Sequence, residues 1–161
     1  VNILAGKQPR DCDLLPCLNT LASNLKIACS MLLEHQIEPV FEMINGTDMP
    51  RFLIQNVAQA QEMLEAVHHP ALKMQYDCYH MAMMGEDVLE TLQENIASIG
   101  HIQFADCPGR HQPNTGSIQY HDIFQWLKHS QYQGYVAAEY KPSGHSNDSF
   151  DWKAEFFPEH D

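Results

Sequence analysis

A chain of 161 residues with 44% hydrophobic side chains has enough apolar surface to build one domain core and too much to remain a disordered polymer. Its net charge of −12, from 21 acidic residues against 9 Lys and Arg, argues against the basic face that a nucleic-acid backbone requires. No apolar run approaches the ~20 residues that span a bilayer, so neither nucleic acid nor membrane is an expected partner.

The chain opens Val1-Asn2-Ile3-Leu4, with no initiator Met and no basic segment ahead of an apolar one. No signal peptide is visible, and the start reads as a piece of something longer. Residues 1–5 have the composition of a short strand. Residues 19–36 place Leu21, Leu25, Ala28, Cys29, Leu32 and Leu33 at helical spacing on one face. Residues 39–44 read as a buried strand, stopped by Asn45-Gly46. A second helix over 52–67 carries Val57, Ala60, Met63, Leu64 and Val67 inward and ends at His68-His69-Pro70. The next strand covers 72–78. A third helix over 86–99 buries Val88, Leu89, Leu92 and Ile96, with Gly100 in the C-cap position. A strand follows at 101–105. After a long loop, 120–129 is a helix around Ile123, Phe124 and Leu127, and 134–140 is the last strand.

Helix and strand alternating at roughly 30-residue spacing predict right-handed βαβ units and a parallel sheet, hence an α/β fold. A doubly wound open sheet and a (β/α)8 barrel both fit. No strand is followed by the Gly-rich loop of many doubly wound nucleotide binders. Five strands cannot close an eight-stranded barrel, which takes about 250 residues, so the pattern alone leaves the architecture open.

The informative feature lies at the strand ends. The last four strands hold Glu42 in Phe41-Glu42-Met43, Asp77 in Tyr76-Asp77-Cys78, Gln103 in Ile102-Gln103-Phe104, and Glu139 in Ala138-Glu139-Tyr140. A buried carboxylate is costly unless it is paired or bound to a metal. In parallel α/β folds the C-terminal strand ends are where sites form. Three carboxylates converging there repel one another unless a cation lies between them, and all-oxygen donors favour Mg²⁺ or Mn²⁺ over zinc. A single acid at a strand end is commonly bonded to a loop amide, so the inference rests on the four together.

His80 follows Asp77 at i+3, a pair that also recurs by chance. Arg110, in Asp106-Cys107-Pro108-Gly109-Arg110-His111, either clamps a substrate carboxylate or is simply solvated, and Lys141 has the same two readings. Ten histidines raise the question of zinc, but none stand at H-x-x-x-H or H-E-x-x-H spacing. Five cysteines form no C-x-x-C pair and read as reduced thiols of a cytoplasmic protein. Cys12 and Cys17, flanking a Pro-containing loop, pair only in an oxidising compartment.

Several strings together resemble the hydroxypyruvate isomerase family. They are Val40-Phe-Glu-Met-Ile-Asn45, Gln75-Tyr-Asp-Cys-Tyr-His80, Gly100-His-Ile-Gln-Phe-Ala-Asp-Cys-Pro-Gly-Arg-His111 with Gly116-Ser-Ile-Gln-Tyr120, and Gly134-Tyr-Val-Ala-Ala-Glu-Tyr-Lys-Pro142. That family sits among the xylose isomerase-like barrels, beside ketose 3-epimerases and DNA-repair endonucleases. The resemblance runs from about Val1 to Phe157 and implies a TIM barrel, with residues 1–161 forming one partial domain of strands four to eight. It implies a divalent metal on Glu42, Asp77, Gln103 and Glu139, with Glu42 and Glu139 doubling as the acid–base pair. His80 and Arg110 then contact substrate, and Arg110 or Lys141 recognises its carboxylate. Gln103, where epimerase relatives usually place a His, favours the hydroxypyruvate branch, and the His-rich zinc ligands of the endonuclease branch are absent.

The expected reaction interconverts hydroxypyruvate and 2-hydroxy-3-oxopropanoate through an enediolate. The competing enzymatic reading is isomerisation of the four-carbon 2-oxotetronate. A reading from another class is a fragment that keeps the ligands but only binds. The first three strands of the family have no counterpart here, which would leave two unpaired edges. Either the sequence is truncated, or another chain, a second copy included, completes the barrel.

Overall fold

The computed structural model describes residues 1–157. Four strands, β1 (Val40–Glu42), β2 (Lys73–Asp77), β3 (Ile99–Phe104) and β4 (Tyr135–Ala138), form one sheet in the order of the chain. All three pairings are parallel. Helix α1 (Leu14–Glu34) precedes the strands, α2 (Val57–Val67), α3 (Cys78–Met83), α4 (Val88–Asn95) and α5 (Tyr120–His129) link them, and α6 (Asp151–Phe156) comes last.

The expected fifth strand at 1–5 is reduced to a single parallel bridge between Asn2 and Val40. Ile3 N donates to Val40 O at 2.7 Å and Val40 N to Val1 O at 2.9 Å, so the segment lies alongside β1. It then turns away at Gly6, whose φ of 80° suits a residue without a side chain.

Helix boundaries differ where local hydrogen bonding outweighs the apolar pattern. α1 begins at Leu14, earlier than the periodicity of its buried residues suggests, because Pro16 is tolerated in a first turn that needs no amide from it. α2 begins late, at Val57, because the Asn56 side chain accepts from Gln59 N and caps it there. The expected third helix is α4, followed by a 3-10 turn at Ile96–Ser98. Gly100 is not its C-cap but the second residue of β3. A Cβ at Gly100 would come within 2.9 Å of Val40 Cγ1 and 3.1 Å of Lys73 Cβ, so the sheet interior at that level demands glycine. The fourth helix, α5, has the expected bounds.

Period-two alternation divides the sheet into two faces. Phe41, Met74, Tyr76, Ile102 and Phe104 join Leu25 and Cys29 of α1, Ala60 and Met63 of α2, Leu92 of α4 and Phe124 of α5 in one apolar core. The opposite face carries Glu42, level with Gln75 in the register, and Asp77, level with Gln103. Gln103 is in turn level with Ala137, which places the following inward position at Glu139. Among the described residues no helix is long and apolar enough to cross a membrane.

Candidate active site

Glu42 and Asp77 end their strands fully or almost fully buried, as expected for carboxylates held for a purpose. Asp77 is also the N-cap of α3: its Oδ1 accepts from Tyr79 N at 2.8 Å and His80 N at 3.4 Å. The cap explains how a charged residue can terminate β2 and start a helix in one step. It also aims the remaining oxygen, Oδ2, toward His80 and Arg110. Glu42 is held by Asn2, whose Nδ2 donates to Oε2 at 2.8 Å.

His80, in the first turn of α3, closes the group. Its Nε2 stands 3.9 Å from Glu42 Oε1 and 3.8 Å from Asp77 Oδ2. One donor atom each from Glu42, Asp77 and His80 fall within 4.8 Å of one another. Burial, then the neighbouring Asp77, pushes the Glu42 carboxyl up to about 7. Burial pushes Asp77 up to about 6, against the pull of Arg110. Burial likewise drives His80 down to about 4, so the ring is neutral at pH 7. Two buried carboxylates that disfavour each other's charge are a donor set suited to a hard divalent cation.

The other expected ligands take different places. Gln103, half-buried on the same face, accepts from Gln75 Nε2 through its Oε1 at 2.6 Å. Glu139 is exposed, because β4 is an edge strand, so the reading that every strand buries its oxygen-bearing side chain holds for Glu42 and Asp77 and not for Gln103 or Glu139. Arg110 joins Glu139 to the cluster: its Nη2 lies 2.5 Å from Glu139 Oε2 and 3.3 Å from Asp77 Oδ2. The guanidinium thus stands between two residues expected to share a cation, and it lies over the Tyr79 ring at 5.2 Å. Lys141 contributes its backbone, with its N donating to Arg110 O at 2.8 Å and its carbonyl bonded to His111 Nδ1 at 2.6 Å. Its side chain is exposed.

The loop that carries Arg110 is organised by Asp106, which is buried. Asp106 Oδ1 accepts from Cys107 N at 2.8 Å and Ile118 N at 3.1 Å, and Oδ2 from Thr115 N at 3.0 Å. Gly116 packs against the Cys107 carbonyl and Asp106 Oδ1 where no Cβ fits. Arg110 itself is in the left-handed region at φ 56°, a backbone state that only a tied-down loop sustains for a long side chain.

Four supporting residues were not singled out from the sequence: Asn2, Asn45, Gln75 and Asp106. Gln75 had a signal in hand, since it lies two before Asp77 and therefore faces the same way. Asn45 reads in sequence as the first half of an Asn-Gly turn, and Asn2 acquires its role only through the pairing of residues 1–3 with β1.

The model of the family described as "Xylose isomerase-like TIM barrel" matches residues 1–160. The chain belongs to that family. The hydroxypyruvate isomerase of Escherichia coli is 36% identical over 152 residues, which cover 94% of this chain and 59% of that protein. The 2-oxo-tetronate isomerase of Cupriavidus necator is 32% identical, covering 94% and 58%. A crystal structure of an AP endonuclease, family 2, from Brucella melitensis superposes with a TM-score of 0.90 at 28% identity, over 96% of this chain and 59% of that one. D-psicose 3-epimerase from Clostridium cellulolyticum H10 superposes at 0.74 with 17% identity, over 91% and 50%, a likeness of fold alone. The chain thus spans 58–59% of the curated relatives named here. The α/β architecture read from the sequence is that of a xylose isomerase-like TIM barrel.

Proposed function

We propose that the strand-end cluster is the active site of an isomerase that interconverts hydroxypyruvate and 2-hydroxy-3-oxopropanoate. What supports this above all is the pair of buried carboxylates, Glu42 and Asp77, set beside His80 at the C-terminal end of a parallel sheet. The 36% identity to a hydroxypyruvate isomerase supports the choice of substrate class. A Mg²⁺ or Mn²⁺ ion held by Glu42, Asp77, Gln103 and Glu139 would supply Lewis acidity, polarising a carbonyl and acidifying the adjacent C–H.

The chain's own groups then divide the proton transfer. Glu42, a buried carboxylate at the end of β1, takes the carbon-bound proton. Asn2 holds its Oε2, which leaves Oε1 to accept that proton. Glu139, on the far side of Arg110, takes the proton of the substrate hydroxyl that becomes the new carbonyl and gives it to the neighbouring carbon, while the proton held by Glu42 passes to the former carbonyl oxygen. Arg110, already facing carboxylates, turns its remaining N–H groups to the substrate carboxylate, with Lys141 at the rim. His80 meets a substrate oxygen.

A four-carbon 2-oxo acid is the second substrate reading, supported by the 32% identity to a 2-oxo-tetronate isomerase. The net charge of −12 weighs against a nucleic-acid substrate, although one structural neighbour is an AP endonuclease. The five thiols, all free, suit a cytoplasmic setting. The domain is read as the last five of eight βα units, completed by further chain or by a second copy.

Turnover of both acids in the presence of Mn²⁺, in the wild type and in Glu42→Gln and Glu139→Gln, tests the proposal. Each variant is expected to lose on the order of 10³-fold in kcat. Unchanged turnover in either removes that residue from the acid–base pair. A wild type that binds Mn²⁺ yet turns over neither acid favours the binding-only fragment.

A further inference from the structure

We propose that Asn45 is a positioning residue that fixes the His80 ring with its proton on Nε2, so that His80 presents a hydrogen-bond donor to the site and not a metal ligand. The starting point is Asn45, fully buried just beyond β1. Its Oδ1 accepts from two backbone amides, Thr47 N at 3.1 Å and Asp48 N at 2.8 Å. Those contacts decide which end of the side-chain amide is oxygen, an assignment that is otherwise ambiguous. The other end is therefore the NH2 group.

That NH2 group has two neighbours. Asp48 Oδ2 lies 3.0 Å away and takes one hydrogen. His80 Nδ1 lies 2.7 Å away and faces the other. An amide nitrogen has no lone pair to offer, so His80 Nδ1 must be the acceptor. In a neutral imidazole only one nitrogen can accept, and the proton then sits on Nε2. Asp48 is itself held by Tyr79 OH at 2.8 Å, so the chain of bonds is anchored at its outer end too.

The consequence reaches the centre of the cluster. Nε2 lies between Glu42 Oε1 and Asp77 Oδ2 at 3.9 and 3.8 Å, close enough to complete a three-residue metal group and too far for a hydrogen bond to either. A protonated nitrogen has no lone pair for a metal. Moving the proton to Nδ1 would set two N–H groups against each other across 2.7 Å. Flipping the amide instead would turn its NH2 toward Thr47 N and Asp48 N. Either change leaves buried donors unsatisfied. Of the three donors within reach of one ion, His80 is thus withheld, and its Nε2–H is free for an oxygen of a bound molecule. On the isomerase reading above, that oxygen belongs to the hydroxy-oxo acid.

The test is ¹⁵N NMR of the histidine-labelled protein at neutral pH, with the His80 ring identified by its loss in His80→Gln. A pyrrole-type shift at Nε2 and a pyridine-type shift at Nδ1 are expected. The paired exchange Asn45→Asp with Asp48→Asn keeps an amide–carboxylate bond at that place but presents Nδ1 with an acceptor, so the tautomer is expected to invert. Should the exchange variant not fold, Asn45→Ala serves instead, with both tautomers expected once Nδ1 loses its donor. A wild-type ring protonated on Nδ1, or a ring unmoved by these substitutions, overturns the proposal. None of these readouts requires turnover. A chain inactive on both acids would count against the isomerase reading and leave the tautomer assignment standing.

Discussion

The Glu42 carboxyl, pushed up to about 7, and Asp77, pushed up to about 6, hold protons in the folded, metal-free protein at pH values where the unfolded chain has released them. For Glu42 the window runs from its ordinary value of 4.5 to about 7. Across it the folded state binds more protons than the unfolded state, so stability falls as pH rises. His80, driven down from 6.5 to about 4, works in the opposite sense, since the unfolded chain there carries the extra proton. Comparing the wild type with Glu42→Gln isolates the first effect. The wild type is expected to lose roughly 3 kcal/mol relative to that variant between about pH 4 and pH 8. Urea melts at a series of pH values measure it, and parallel pH profiles for the two proteins would show that Glu42 is not perturbed. Glu42 and Asp77 were legible in the sequence because a charged side chain in an apolar strand needs a partner. Asn45 was not, because Asn-Gly ordinarily marks a turn, and here the same residue serves both the turn and His80.

Elements built from one kind of signal were the readable ones. α5 matched its expected bounds because an unbroken amphipathic stretch lies between a loop and the Ser130 stop. α3 was hidden, since Cys78 to Met83 continues the apolar run of β2 with no Gly or Pro between them. Only the Asp77 cap, a matter of backbone geometry, separates strand from helix. The Arg110 loop shows the same dependence on a residue whose role is invisible to periodicity. Asp106 accepts three backbone amides in that loop. Asp106→Ala is therefore expected to cost about 3 kcal/mol, each orphaned donor contributing about 1 kcal/mol. It should also raise KM by freeing Arg110 from its left-handed turn. A denaturation curve and a substrate titration check the two effects separately, and a variant with native stability would show that the loop is held elsewhere.

At the scale of the molecule, the parallel order of the sheet followed from the alternation of helix and strand, while barrel against open sheet did not. The choice depends on strands beyond these four, and no periodicity within them carries it. Val1, Leu4, Ile27 and Met31 are among the large apolar side chains that stay exposed. The site is nonetheless assembled from the described residues: Glu42, Asp77 and His80 converge within 4.8 Å, and Arg110 links Glu139 to them. If the carboxylates of this group hold a divalent ion, Mn²⁺ at 100 times its Kd should stabilise the fold by about 2.7 kcal/mol. A rise of several degrees in Tm that disappears in Asp77→Asn is the expected result, and a Tm indifferent to Mn²⁺ would contradict a metal site.

The most direct measurement follows the hydrogen itself. Hydroxypyruvate is incubated in D2O with the Mn²⁺-loaded protein, and deuterium entering the carbon-bound positions is read by NMR. Acid–base transfer through Glu42 and Glu139 predicts that deuterium is incorporated by the wild type and that Glu42→Gln and Glu139→Gln each abolish it. Incorporation at the wild-type rate in either variant would contradict the account.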